Sequence, residues 1–198
     1  MLRYYFYIKF LLPDSDPKLL AGRCVSILHG FMSSHQLKRI GVSFPQWSIQ
    51  SLGQSIAFVS QNQKHLATLC EQPYFKSMEN EGFIELSEVE LIPAGLPEVS
   101  FVRNQGVAKL FVGEKRRRLK RSKRRVKERG DGFTPDSTTS TNEFRHFHRI
   151  KANSKSKHQS FILHIQKRQS AGVVCQEYNG YGFATNIERN GTVPELKL

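Results

Sequence analysis

A strand, a helix, two strands, a second helix and a further strand follow one another over residues 4–92, and that order predicts an α+β chain whose first half is ferredoxin-like, or RRM-like. Two bulk observations support an ordered domain. A hydrophobic content of 38%, with 14 Phe and 6 Tyr in 198 residues, is enough for a packed core. Positive charge, by contrast, is confined: eleven of the fifteen residues from Lys115 to Arg129 are Lys or Arg and Glu128 is the only acid among them, so this segment carries +10 of the chain's +13.

The elements follow from local chemistry. Tyr4, Phe6, Ile8 and Phe10 alternate with Tyr5, Tyr7 and Lys9, the period-2 pattern of a strand rich in aromatic residues. Asp16 and Pro17 supply an N-cap and a first-turn proline, after which Leu20, Cys24, Ile27, Leu28 and Phe31 recur at helical spacing up to Ser33 and Ser34. Arg39–Phe44 and Ser55–Ser60 read as strands on either side of a connection containing Pro, Ser and Gly. Asn62 can cap a second helix bearing Leu66, Leu69 and Cys70, which Pro73 is expected to close, and Phe83–Ile92 is extended.

Pro93–Pro97 marks a junction, dividing the chain into an expected first domain over 1–94 and a second over 95–198. In the second, Val99–Gln105 reads as a strand, and Gly113 and Glu114 introduce the basic segment KRRRLKRSKRRVKER, which lacks Gly, Pro and Asp and so favours a helix. Gly130–Asn142 is a polar loop by composition. Phe144–Ile150 and Phe161–Lys167 read as a β-hairpin bracketing ANSKSKHQS, and Gly180-Tyr181-Gly182 reads as a turn near the end.

Like charges along a helix repel by a few tenths of a kcal/mol per close pair. Phosphates placed between the side chains remove that repulsion, and release of their counterions favours the complex further. Nucleic acid is therefore the expected partner. Because the rest of the chain carries little net charge, the potential is local and suits a shaped ligand.

Other function classes are excluded by what the sequence lacks. Cys24, Cys70 and Cys175 are odd in number and far apart, which argues against a disulfide framework or a zinc site and suits a reducing cytoplasm. YYFYIKFLL is interrupted by Lys9 and followed by Pro13 and Asp14, so it reads as a strand and not as a signal core, and no run approaches the ~20 apolar residues of a membrane helix. There is no P-loop, His-Glu-x-x-His or Gly-x-Ser-x-Gly, and the acidic residues are not grouped as a metal-dependent nuclease requires. No metal or cofactor is expected. Metal-free RNA cleavage needs only a base for the 2′-hydroxyl, alignment of that hydroxyl and help for the leaving oxygen. Of the seven histidines, His29 flanks the apolar stripe of the first helix, where it can be held by packing and still emerge at a surface.

Taken in order, several short matches resemble one family. His29 stands eleven positions before Ile40-Gly-Val-Ser-Phe-Pro45; Val99-Ser100, Arg103 and Gln105 precede Arg116-Arg117-Arg118-Leu119; Ser154 and Ser156 precede Phe161; Tyr181-Gly182 lies near the end. No single match is specific, but their order over nearly the whole chain resembles the repeat-RNA endoribonucleases of type I-F CRISPR systems. The resemblance implies that His29 is the general base, that Ser154 holds the attacking 2′-hydroxyl and that Tyr181 orients the site. It further implies metal-free cleavage of a CRISPR-repeat hairpin to a 2′,3′-cyclic phosphate, by a protein that is monomeric when free, cytoplasmic and retained on its product with the other subunits of a surveillance complex.

By the same resemblance, Arg103 and Gln105 read bases low in the stem, pairings that suit guanine and adenine in a major groove. The helix bearing Arg116, Arg117, Arg118, Arg121, Arg124 and Arg125 lies along that groove, Ser156 touches the RNA, and Phe161 stacks on a base beside the cleaved bond. Phe101 and Val102 are additional between Val99-Ser100 and Arg103, Ser122 stands where the family often has Arg, and the tail ends Val-Pro-Glu-Leu-Lys-Leu. These departures bear on hairpin preference. The basic helix alone also fits a non-catalytic RNA-hairpin-binding subunit, for which His29 is dispensable. DNA recognition is disfavoured by the near absence of Asn and Gln in the basic segment.

Overall fold

The computed structural model describes residues 2–12, 16–129, 146–154, 159–185 and 188–198. Its first half contains β1 (Tyr4–Phe10), α1 (Pro17–Ser34), β2 (Gly41–Ser43), β3 (Ser55–Ser60), α2 (Gln63–Cys70), α3 (Pro73–Asn80), β4 (Ile84–Leu86) and β5 (Glu90–Leu91). The strands pair antiparallel in the order β2-β3-β1-β4, the ferredoxin-like arrangement, and β5 also pairs with β1. Phe6, Ile8 and Phe10 of β1 are buried and Lys9 is exposed, as their alternation predicts, whereas Tyr5 of the opposite set is buried and Tyr4 only half-buried. Asp16 Oδ1 accepts from Lys18 N at 2.9 Å to start α1, and Asn62 Oδ1 accepts from His65 N at 3.3 Å to start α2.

Two expectations for this half need correction. Pro73 does not merely close a helix: α2 ends at Cys70, and Pro73 occupies the first turn of α3, where its missing N–H costs nothing. Phe83–Ile92 is two short strands. Ser87 interrupts them, its N–H donating to Tyr7 O at 3.0 Å while its Oγ accepts from Tyr7 N at 2.9 Å.

The second half contains β6 (Glu98–Arg103), a 3-10 turn (Gln105–Leu110), α4 (Val112–Arg129), β7 (His148–Ser154), β8 (Gln159–Gln169), β9 (Ala184–Thr185) and β10 (Val193–Pro194). The order β10-β6-β8-β7 is antiparallel, and β9 runs parallel to β6. The hairpin is longer and shifted relative to its predicted strands: Ala152–Ser154 pair with Gln159–Phe161, so much of ANSKSKHQS is ladder. Of the loop expected over Gly130–Asn142, nothing lies within the described residues.

Helix α1 lies against β7 at close range. A Cβ on Gly22 would sit 2.0 Å from Lys151 O and 3.1 Å from Ile150 Cγ2, so only glycine permits this approach. One hydrophobic cluster runs through both halves, with Leu28 and Phe31 of α1, Phe58 of β3, Phe101 of β6 and Ile150 and Leu163 of the hairpin all within it. Phe44, two residues beyond Val42 of β2, meets Phe101 edge-on at 5.2 Å and stacks on Phe183 at 6.2 Å. Across the same boundary, the buried Arg3 guanidinium grips both oxygens of Glu98.

His148 and His164, both buried, have pKa values lowered from the usual histidine range. For His148 burial is the larger cause and the positive charge of His146 and Lys18 adds to it, offset by hydrogen bonds to Ser48 and Ser51; for His164 burial acts together with Arg149. A base whose folded pKa is depressed binds more protons when unfolded, so acid favours unfolding. Stability is therefore expected to fall as pH drops below about 6.5, and chemical denaturation from pH 7.5 to 5 would reveal it. Replacing His164 by Gln should flatten part of that slope; an unaltered slope would assign it to other groups.

Candidate active site and nucleic-acid interface

His29 lies one turn beyond Val25 on α1, half-buried, where the helix meets the turn that follows Tyr178. Its Nδ1 is 2.6 Å from Gly180 O. A carbonyl only accepts, so Nδ1 carries the hydrogen and the neutral ring keeps its lone pair on Nε2. Among the described residues, no partner occupies Nε2. The Tyr181 ring stacks on the imidazole with centroids 4.1 Å apart and planes 23° from parallel. Edge and face are thus both held, leaving one nitrogen available as a base.

The turn that carries these contacts is organised by Asn179. Its Oδ1 accepts from Tyr181 N at 2.8 Å and Phe183 N at 3.3 Å, while its own N–H donates to Phe183 O at 2.8 Å. Gly182 has φ +78°, and a Cβ there would meet Val42 Cγ2 at 2.6 Å and Leu28 Cδ2 at 2.9 Å. The turn is docked on β2 by Val42 N donating to Gly182 O at 2.9 Å. In this way Ile40-Gly-Val-Ser-Phe-Pro45 contributes to the site by supporting Tyr181 from below.

Two further predicted residues gather around Tyr181. Phe161 packs edge-on at 5.6 Å, and the Arg103 guanidinium lies 5.5 Å from the ring centroid. Burial lowers the Arg103 pKa and Tyr181 opposes the shift; burial raises that of Tyr181, with Arg103 opposing. Arg103 nevertheless stays charged. With its amide oxygen facing the guanidinium, Gln105 accepts from Arg103 Nε at 2.6 Å and Nη2 at 2.5 Å. Between them Asn104 is buried, its N–H donating to His164 O and its Nδ2 to Gln166 Oε1, each at 2.8 Å, while its Oδ1 accepts from Gly106 N at 2.9 Å. Asn104 therefore fastens the Arg103–Gln105 segment to β8.

Ser154 ends β7 opposite Gln159, and the description there is of backbone alone. Its neighbour Asn153 donates its N–H to Ser26 Oγ at 3.1 Å, and Ser26 precedes His29 by one helical turn, ~4.5 Å along the axis. The tip of β7 is consequently tied to the same stretch of α1 as the imidazole. Ser156 lies outside the described residues. On α4, Arg116, Arg117, Arg121, Arg124 and Arg125 are exposed, and Arg117, Arg121 and Arg124 share one face by their i, i+4, i+7 spacing. Arg124 Nε is 3.5 Å from Glu128 Oε1, a solvated pair that adds little stability. Arg118 belongs to the same helix, described by its backbone.

Asn179 and Asn104 carry no signal in the sequence, and Gly180, expected as a turn residue, is not expected as the partner of an imidazole. An Asn-Gly-Tyr-Gly string signals a turn, but nothing local says that its carbonyl meets a histidine 151 positions earlier. Among the described residues there is no group of three or more His, Cys, Asp or Glu able to hold a metal ion, and no helix is long and apolar enough to cross a membrane.

The family model described as CRISPR-associated protein (Cas_Csy4) matches residues 5–196. No curated protein matches the chain. Among solved structures, similarity extends to a "CRISPR associated protein Cas6" with TM-score 0.33 and 10% identity, covering 98% of each chain. It extends also to "An RAMP protein binding different RNA substrates" with TM-score 0.30 and 14% identity, covering 92% of this chain and 97% of that one.

Proposed function

The chain belongs to the CRISPR-associated Cas_Csy4 family, and from that premise we propose that it is a metal-independent endoribonuclease acting on the hairpin of CRISPR-repeat RNA. The observation that carries the proposal is the His29 imidazole, whose Nδ1 hydrogen is committed to Gly180 O and whose face is committed to Tyr181. Such a ring is oriented in advance to remove a proton at Nε2.

In the proposed reaction, Nε2 takes the proton of the 2′-hydroxyl on the nucleotide before the cut. The 2′-oxygen then forms a bond to the adjacent phosphorus as the bond from phosphorus to the 5′-oxygen breaks. The departing oxygen acquires a proton, leaving a 2′,3′-cyclic phosphate and a 5′-hydroxyl. Ser154 would hold the 2′-hydroxyl in line, and the tie between Asn153 and Ser26 supports that role by keeping the strand end beside the helix of the base. Tyr181 restrains the imidazole, and Phe161 offers a ring to the base at the foot of the stem.

Arg103 and Gln105 would read the lowest base pairs, with the exposed arginines of α4 following the groove above them. Residues 1–94 would thus supply the base and 95–198 most of the RNA grip. Ser156 would add an RNA contact near the cut. Retention of the cleaved hairpin would make the protein a subunit of a type I-F surveillance complex, with slow release after a single turnover.

The test is incubation of the protein in EDTA with a repeat hairpin carrying either ribose or 2′-deoxyribose at the cleaved nucleotide. Only the ribose substrate should be cut, giving a cyclic phosphate end. Cutting of the deoxy substrate, or cutting only after a divalent metal is added back, would overturn the mechanism. Tight binding with no cutting of either would leave a non-catalytic RNA-binding subunit.

A further inference from the structure

A second group of cations stands on β7, on the strand face opposite the one that packs on α1. Ile150 and Ala152 of that strand are fully buried toward α1, so Arg149 and Lys151 emerge on its opposite face, where both are exposed. Their cross-strand partners are His164 and Ile162. Onto this face folds Phe111, the residue at the root of α4: its ring stacks on His164 at 5.5 Å and 25°, and Phe147 meets it edge-on at 6.4 Å. The Arg149 guanidinium lies 5.8 Å from the centroid of Phe111.

A guanidinium resting over a ring spends no N–H group on that contact, and those groups are the donors that bind a phosphate oxygen pair. Lys151 follows two residues along the strand, ~7 Å away, on the same face. Among the described residues, neither cation has a carboxylate partner. Phe111 places this pair beside the start of α4, so the strand continues the positive field of the helix onto the sheet.

We propose that Arg149 and Lys151, with Phe111 as the platform for the first, form a backbone-binding site for successive phosphodiesters of the RNA stem engaged by α4. The inference rests on the RNA-binding reading above but not on catalysis. Contacts to phosphate position a duplex without reading its sequence. The site therefore acts on any RNA stem, and the base-reading pair Arg103 and Gln105 remains responsible for discrimination.

The probe is a blunt RNA hairpin of arbitrary sequence that the protein does not cut, titrated at several salt concentrations. The Arg149→Gln, Lys151→Gln double variant should bind with a salt slope lower by about 1.5–2 than the unaltered protein, matching two lost phosphate contacts. Arg149→Lys should keep the slope yet bind several-fold more weakly, because the charge remains and the planar fork is lost. An unchanged slope in the double variant overturns the site while leaving the cleavage reading intact. Cutting of a 2′-deoxy substrate overturns the cleavage mechanism and leaves this result standing.

Discussion

His29→Ala is expected to reduce single-turnover cutting of a repeat hairpin by at least about 100-fold, within the range that general bases contribute, while affinity for the hairpin changes less than about threefold. The separation follows from geometry. The imidazole touches Gly180 and Tyr181 but belongs to none of the cationic surfaces, so its removal takes away the proton acceptor and leaves the electrostatic grip. His29→Gln would be a sharper probe, since an amide can still donate to Gly180 O and support the Tyr181 ring yet is not a base. If the Gln variant cuts normally, the proton goes elsewhere and the assignment falls. If Ala removes both cutting and binding while Gln restores both, His29 is a support for the turn and not a base.

The largest expected effect on stability comes from Glu98→Ala. Arg3 and Glu98 have side-chain exposures of only 9% and 5%, and they link the residue just before β1 to β6 by a two-pronged ion pair, one arm of which runs from Nη1 to Oε2 at 3.1 Å. Removing the carboxylate strands a guanidinium in the interior, with an expected cost of about 3–5 kcal/mol. Replacing both residues with apolar side chains should be far milder, because the buried charge disappears with its partner. Urea denaturation of Glu98→Ala, of Arg3→Leu and of a double apolar variant measures this coupling. A double variant as unstable as the sum of the singles would show that the pair acts through packing, not charge.

Much of the architecture was legible locally. β1 and β3 have the bounds their patterns predict, and the caps at Asp16 and Asn62 sit where short polar side chains precede apolar periodicity. The errors fell where local rules are ambiguous. Proline ends one helix and begins another equally well, and Pro73 does the second. Ala152–Ser154 reads as loop because it has one small apolar residue followed by two polar ones, too short a stretch to show alternation; pairing with Gln159–Phe161 is what makes it strand.

The candidate site was legible in parts and not in assembly. His29, Phe161, Arg103 and Tyr181 were identified one by one through family resemblance, and three contacts to the same tyrosine ring join them in space. The residues that hold them were missed: Asn179, Asn104 and Gly22 act through backbone hydrogen bonds or the absence of a side chain, which carry no chemical signature in a string of letters.

By itself, the sequence determined most of the local states of the chain and the place where its positive charge is concentrated, since secondary structure follows largely from neighbouring side chains and a run of arginines repels itself whatever the fold. Only the tertiary structure decided which nitrogen of His29 is free, that Arg103 shares the ring of Tyr181, and that β7 offers a second pair of cations. Each of these depends on groups far apart in the chain brought within a few ångströms, and distance along a sequence says nothing about direction in space.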